Sequence, residues 1–251
     1  MGMKLVNSNI EGDKHFDRVI PFLEQEKPDV ICLQEVFRKD LHLFESLGFT
    51  MVFLPMTKKT VDESPEELGI ALGYASSRAI LENTDTCYYH DRAETIRFFD
   101  RDQKDQTVNN GIIMGRFTVH NESFTVATTH FTWTPNGSEP HQFQKDDMAR
   151  LRAYLSECEP HCLIGDFNIP RRHNPLYDEL VREYTDEIPA SYTSSLDANI
   201  HRLGQDSSKR HLFTDYMVDY LFTQPPYVAH DVHLEFGISD HAAIVATIYR
   251  G

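Results

Sequence analysis

The sequence predicts an α/β protein built on two packed sheets flanked by helices. Two observations carry that prediction. Short apolar runs alternate with amphipathic helical stretches, and they fall into two strand-rich halves, each holding one long helix able to cover a sheet. The 251 residues suffice for one large domain. No internal repeat, low-complexity segment or break in composition divides them, so a single domain over residues 3–250 is expected.

The elements follow in order. Residues 4–9 read as a strand. Asp13 can then cap a helix whose apolar face is Phe16, Val19, Ile20 and Leu23. Pro21 should kink that helix or displace its start, and Lys27-Pro28-Asp29 ends it. VICLQE, Val30 to Glu35, has the profile of a buried central strand, completing a strand–helix–strand unit. Residues 50–55, 68–76 and 79–89 are strand-like, with a polar loop expected at 56–67. Two strands fill 107–131, turning near His120-Asn121. Met148, Leu151, Leu155 and Cys158 form one face of the second long helix. The next strand ends in Gly165-Asp166-Phe167-Asn168, and segments 215–222, 227–235 and 241–249 complete the strands.

Hydrophobic residues make up 40% and charged residues 25%, ordinary for a soluble globular chain. No apolar run nears the roughly 20 residues that span a bilayer. The opening MGMKLVNSNI has neither the zones of a signal peptide nor the Ser or Thr of a myristoylation signal. A cytoplasmic location without a membrane span is expected, with Met1-Gly2 read as an added leader. Acidic residues number 39 against 24 basic ones, a net charge of −15. That balance opposes binding long duplex nucleic acid by electrostatics, yet it admits a phosphate substrate if a divalent cation inverts the local field. Cys32, Cys87, Cys158 and Cys162 do not form a disulfide framework. Cys158, His161 and Cys162 lack the second ligand pair that a structural zinc site needs.

Polar residues interrupt the strand ends. Asn9 ends the first, Glu35 the second and His130 a middle one. Asp166 and Asn168 end the next, Asp219 lies in a later one, and Asp240-His241 opens the last. Asp166 and Asn168, two apart, should share a face. Singly, each is ordinary turn or core chemistry. Together they would be costly, because clustered carboxylates repel and resist burial unless a cation joins them.

SNIEG, LQE, TTHF, GDFN, VDYLF and SDHAAI, in this order between residues 8 and 244, carry a resemblance. The chain resembles the endonuclease/exonuclease/phosphatase (DNase I-like) superfamily over nearly its whole length. The resemblance implies a four-layer α-β-β-α sandwich of two mainly antiparallel sheets, with the site where the sheet edges meet. It implies a metal-dependent hydrolase of phosphodiesterase or nuclease type. Asp166 would activate the attacking water, and Asn168 would contact that water or a phosphate oxygen. His241, charged by Asp219, would face the phosphate, and His130 would serve a phosphoryl or leaving oxygen. Glu35 and Asp240, with Asn9 beside them, would hold Mg²⁺, with Mn²⁺ as the substitute, since oxygen ligands suit such ions. Glu11 would stand behind them. Trp133 could stack on a flat group or pack on its own loop. Arg38, Arg171 and Arg172 would bind substrate at the rim, or be solvated loop charge.

LQEV and the compact length resemble the tyrosyl-DNA phosphodiesterase branch, whereas NNGIIMGRF is similar to a sphingomyelinase strand. The substrate is therefore a phosphoester, with nucleic-acid ends or single strands, small phosphoesters and sphingomyelin-type head groups all open. A phosphatase or phospholipase C-like hydrolase is the alternative, and a non-catalytic binding domain the distant one. No protein partner is inferred.

Overall fold

The computed structural model describes residues 1–90, 95–135 and 137–251. From the N-terminus, β1 (Met3–Asn9) runs through α1 (Phe16–Glu26) into β2 (Val30–Phe37). Helix α2 (Leu41–Ser46) leads to the hairpin of β3 (Phe49–Val61) and β4 (Ser64–Ala75), then β5 (Ala79–Tyr88). The short α3 (Lys104–Thr107) precedes β6 (Gly111–Val119) and β7 (Glu122–His130). Next come α4 (Gln142–Ser156), β8 (Cys162–Asp166), α5 (Pro175–Leu180) and β9 (Thr185–Asp186). Strands β10 (Asp219–Thr223), β11 (Tyr227–Glu235) and β12 (Ala243–Arg250) close the chain.

These strands form two six-stranded sheets, ordered β11-β12-β1-β2-β4-β3 and β5-β6-β7-β8-β10-β9. Each is antiparallel except for one central parallel pair, β1/β2 and β7/β8. A parallel pair needs a crossover, and α1 and α4 supply it. The expected sandwich is therefore present, and its two halves share one plan.

Period-two alternation sorts the side chains. Met3 and Leu5 of β1, with Val30 and Cys32 of β2, belong to the core between the sheets. Val6, Ile31 and Leu33 point outward and pack on Val19, Phe22 and Leu23 of α1 and on Phe44 of α2. On the other sheet, Met148, Leu151 and Leu155 of α4 and Leu176 and Leu180 of α5 join the main core. Burying each such side chain contributes about 1.5–3 kcal/mol.

Several expectations need correction. Residues 56–67 are no loop: β3 and β4 continue to a two-residue turn at Asp62 (φ 48°) and Glu63 (φ 66°). Two left-handed residues suit the twist of a tight hairpin, so a polar sequence folds as strand. Asp13 does not cap α1, which begins after His15 without a side-chain cap. Pro21 lies inside α1 on its exposed face, and the helix runs on past it to Glu26. Cys158 lies past the end of α4. The predicted turn at His120-Asn121 is present, with φ of 53° and 65°. Helices α2, α3 and α5 lie outside the sequence prediction; at six, four and six residues each is too short for the helical period to show.

Candidate active site

In the second sheet the strand register builds a row. His130 pairs with Asp166 across β7/β8, and Asp166 pairs with Asp219 across β10/β8. Directly paired residues project from the same face, so three neighbouring strands end in three ionisable groups side by side. The first sheet supplies the opposite half: Asn9 from the end of β1, Glu35 from β2, and Asp240-His241 from the segment before β12.

Glu35 reaches the cleft through a backbone irregularity. Between Leu33 and Val36, β2 carries one residue more than β4 does, and Glu35 takes a left-handed conformation (φ 57°). An extra residue of this kind re-aims a side chain. Without it, simple alternation would place Glu35 on the helix-covered face with Ile31 and Leu33. Gly12 N–H donates to the Glu35 carbonyl at 2.9 Å and fixes the bend.

Asn168 also departs from alternation. Strand β8 stops at Asp166, and Asn168 is left-handed (φ 54°), with its N–H donating to Asp166 Oδ1 at 3.0 Å. Both residues line the cleft through this turn and not through strand periodicity. Asn168 Nδ2 donates to the Phe131 carbonyl at 2.9 Å, tying the two loops together.

The halves are bonded to each other. Asn9 Nδ2 lies 3.1 Å from Asp166 Oδ2 and 3.4 Å from Glu35 Oε1, while its Oδ1 accepts the Glu11 N–H at 3.2 Å. His241 Nδ1 donates to Asp219 Oδ2 at 2.8 Å and lies 3.9 Å from Asp166 Oδ2. His130 Nε2 stands 3.5 Å from the same Asp166 oxygen. Below them, Gln34 Nε2 donates to Asn7 Oδ1 at 2.8 Å and to Thr128 Oγ1 at 3.2 Å, bridging the sheets.

The electrostatics follow from this packing. Burial pushes the His241 pKa down, but Asp219 and Asp166 outweigh it and hold the imidazole well above the usual histidine range. Burial, then the charge of Asp219, raises Asp166 above an ordinary aspartate, although His241, His130 and Asn9 oppose the rise. Asp240 is pushed up to about 6 by burial, against His241, with Glu11 and Glu35 adding to the rise. Glu35 is raised by burial and lowered by His130, Lys59 and His241, which leave it below the ordinary range.

Residues that sequence reading did not single out complete the frame. Ser195 Oγ accepts both the Val218 and Asp219 N–H groups at 3.1 Å, and the Ser195 carbonyl accepts the Ala242 N–H at 2.7 Å. One segment thus fixes Asp219 and His241 together. No periodicity in SYTSSLD could have revealed it.

The site lines a cleft of about 930 Å³. Trp133 is on its wall, with one ring face covered by the Lys104 ammonium 3.5 Å from the centroid. Arg38, Arg171 and Arg172 are not on that wall. Arg38 pairs with Glu67 at 2.6 Å and lies over Phe53. Arg171 is buried against Asp186 at 2.6 Å. Arg172 is exposed in a left-handed turn and is not part of the cleft lining. The cleft's cations are Lys14, Lys59, Arg101, Lys104 and Arg202. Lys14 follows SNIEG by two residues, but the other four are far in sequence from the catalytic motifs, and only the fold brings them there.

A profile of the Endonuclease/Exonuclease/phosphatase family matches residues 6–241. The chain belongs to that family. Among solved structures, it superposes on the endonuclease/exonuclease/phosphatase from Bacteroides vulgatus with a TM-score of 0.74 at 15% identity, covering 100% of both chains. The human Nocturnin catalytic domain with bound sulfate gives 0.72 at 17%, covering 100% of this chain and 95% of that one. Humanised D. rerio TDP2 gives 0.65 at 16%, covering 99% of each. At these identities the likeness is one of fold. No curated protein sequence matches.

The family uses divalent metals, and the donors present fit one. Glu35 and Asp240 offer oxygen atoms only, the ligand set of Mg²⁺ or Mn²⁺. Asp240 is raised by burial first, with Glu11 and Glu35 adding to the rise, and a divalent cation would offset that cost. Asp240 also lies with Glu11 and His15, all three donor atoms within 4.8 Å of one another. Asp166, Asp219 and His241 form a second such group. There the two carboxylates favour the protonated imidazole, and a protonated ring nitrogen cannot ligate a metal.

Proposed function

We propose that this protein is a divalent-metal-dependent phosphoester hydrolase, its site carried by one domain spanning residues 3–250. A cation held by Glu35 and Asp240, with Asn9 beside them, would neutralise charge on the phosphoryl oxygens. Asp166 takes the proton of the attacking water. Its raised pKa makes it a better base than an ordinary aspartate. Asn9 and the Asn168 N–H orient its two oxygens. His241 stays cationic through Asp219, and its Nε2 is left for a phosphoryl oxygen. His130, on the other side of Asp166, is placed to donate to a non-bridging or leaving oxygen.

One observation carries this reading. Asp166 is gripped between Asn9, His130 and the His241–Asp219 pair at the floor of a cleft that Glu35 and Asp240 also line. The test is hydrolysis of p-nitrophenyl phosphate and bis(p-nitrophenyl) phosphate with Mg²⁺, with EDTA as control. Asp166→Asn should keep the fold and lower turnover roughly 10²- to 10⁴-fold. Equal rates for the variant and the wild type would remove Asp166 from the role of base. LQEV and the TDP2-like fold make 5′-phosphotyrosyl single-stranded DNA the first diester to test. Mg²⁺-dependent tyrosine release would support that substrate, and internal cutting would indicate a nuclease instead.

A further inference from the structure

One wall of the cleft carries cations that hydrolysis at Asp166 does not use. Lys59 comes from β3, Arg101 from the turn before α3, and Lys104 from the first position of α3. All three line the cleft. The segment 97–99 is zipped onto β3, with Lys58 N–H donating to the Arg97 carbonyl and Phe99 N–H to the Lys58 carbonyl, both at 2.8 Å. This fixes the Phe99 ring between two ammonium groups, Lys59 at 5.1 Å and Lys104 at 5.7 Å from its centroid. Lys104 also sits 3.5 Å from the Trp133 centroid. Two aromatic faces therefore hold its ammonium in place.

Among the described residues, none of Lys59, Arg101 and Lys104 makes a direct ion pair with a carboxylate, and the carboxylate whose field reaches Lys59 and Lys104 is Glu35. By contrast, Lys14 in the same cleft pairs with Glu11, and Arg38, outside it, pairs with Glu67. Asp105 lines the same stretch and has contacts of its own. A half-buried ammonium without a counter-ion is unfavourable, and burial accordingly lowers the Lys104 pKa while Glu35 opposes the shift. The like charges converge here in a chain of net charge −15. An anion on the ligand is the missing partner.

We propose that Lys59, Arg101 and Lys104 form a second anion subsite that receives a further phosphate group of a small, doubly phosphorylated substrate. The inference rests on the hydrolase reading for the first phosphate, which lies at Asp166 and His241. The cleft of about 930 Å³ has the size of a small-molecule site, about 300–1,000 Å³. Outside it, the strongly negative balance opposes a long polyanion. Trp133 then acts by positioning Lys104, because the ammonium covers the ring face that a base would need.

Adenosine 3′,5′-bisphosphate and adenosine 5′-monophosphate serve as probes, with calorimetry on the full chain in EDTA and p-nitrophenyl phosphate hydrolysis in Mg²⁺ run beside it. The bisphosphate should bind at least about tenfold more tightly, and Lys104→Ala should erase most of that ratio. Lys104→Arg should retain it, and Trp133→Leu should reduce it by releasing the Lys104 ammonium from the ring. Lys145→Ala, on the exposed face of α4, is the control that leaves the ratio unchanged. Equal affinity for the two probes, or a Lys104→Ala loss that is the same for both, would overturn the subsite. Tighter binding of a dT decamer than of the bisphosphate, lost in Lys104→Ala, would overturn the small-molecule class. Selective binding without p-nitrophenyl phosphate hydrolysis would retain the subsite and overturn the hydrolase reading. Hydrolysis without selectivity would do the reverse.

Discussion

Asp219 shows how one buried carboxylate can set the state of a neighbouring residue. Its Oδ2 meets His241 Nδ1 at 2.8 Å, and the pair raises the histidine above its value in the unfolded chain. A group whose native pKa is raised stabilises the fold fully below its unfolded pKa, about 6.5 for histidine. That contribution is lost as the pH rises through the native value. His241 should therefore remain protonated across the neutral range, and the stability it adds should fade only at higher pH. NMR titration of the ring checks this: Asp219→Asn should move its titration downward. An unmoved titration in that variant would remove Asp219 as the source of the charge. The sequence displayed both residues, but their pairing needed the fold.

Among the elements, β8 is tightly constrained by its neighbour. Gly165 has φ +151°, and a Cβ there would lie 2.0 Å from the Thr129 carbonyl oxygen of β7. Backbone cannot yield as a side chain tip can, and β7 and β8 are central parallel partners. Gly165→Ala should cost roughly 3 kcal/mol or more, read as a lower urea midpoint with an unchanged slope. A shift below 1 kcal/mol would mean that β8 moves more freely than its register implies. In GDFN, the glycine lets β8 approach β7 closely enough to set Asp166 beside His130. The strand itself was legible from CLIG, yet the close approach that demands glycine was not. The bulge at Glu35 is the same kind of feature, a local departure that redirects one side chain.

At the scale of the molecule, the site is a seam. Asn9, Glu35, Asp240 and His241 come from one sheet, His130, Asp166 and Asp219 from the other, and the bonds Asn9–Asp166 and His241–Asp219 join them. A cation bound there would act on the sandwich as a whole. Mg²⁺ or Mn²⁺ at a hundredfold excess over Kd should add about 2.7 kcal/mol, a Tm rise of roughly 5–10 °C for a chain of this size. EDTA should abolish the rise, and Glu35→Gln should reduce it. No shift with either ion, in the presence of phosphate, would speak against the metal. No helix among the described residues is long and apolar enough to cross a membrane.

The sequence by itself determined the two-sheet architecture, because alternating apolar residues and two amphipathic helices leave few ways to bury their faces. It also determined the motif residues, since polar side chains at the ends of apolar strands stand out against the pattern. Only the tertiary structure decided how Glu35 and Asn168 reach the cleft, for both depend on left-handed backbone that no periodicity encodes. Only it separated the basic residues, placing Arg38, Arg171 and Arg172 in ion pairs or on outer turns and bringing Lys59, Arg101 and Lys104 to the cleft. The reason is physical: a charge's partner is set by distance in space, and sequence proximity to a motif does not measure that distance.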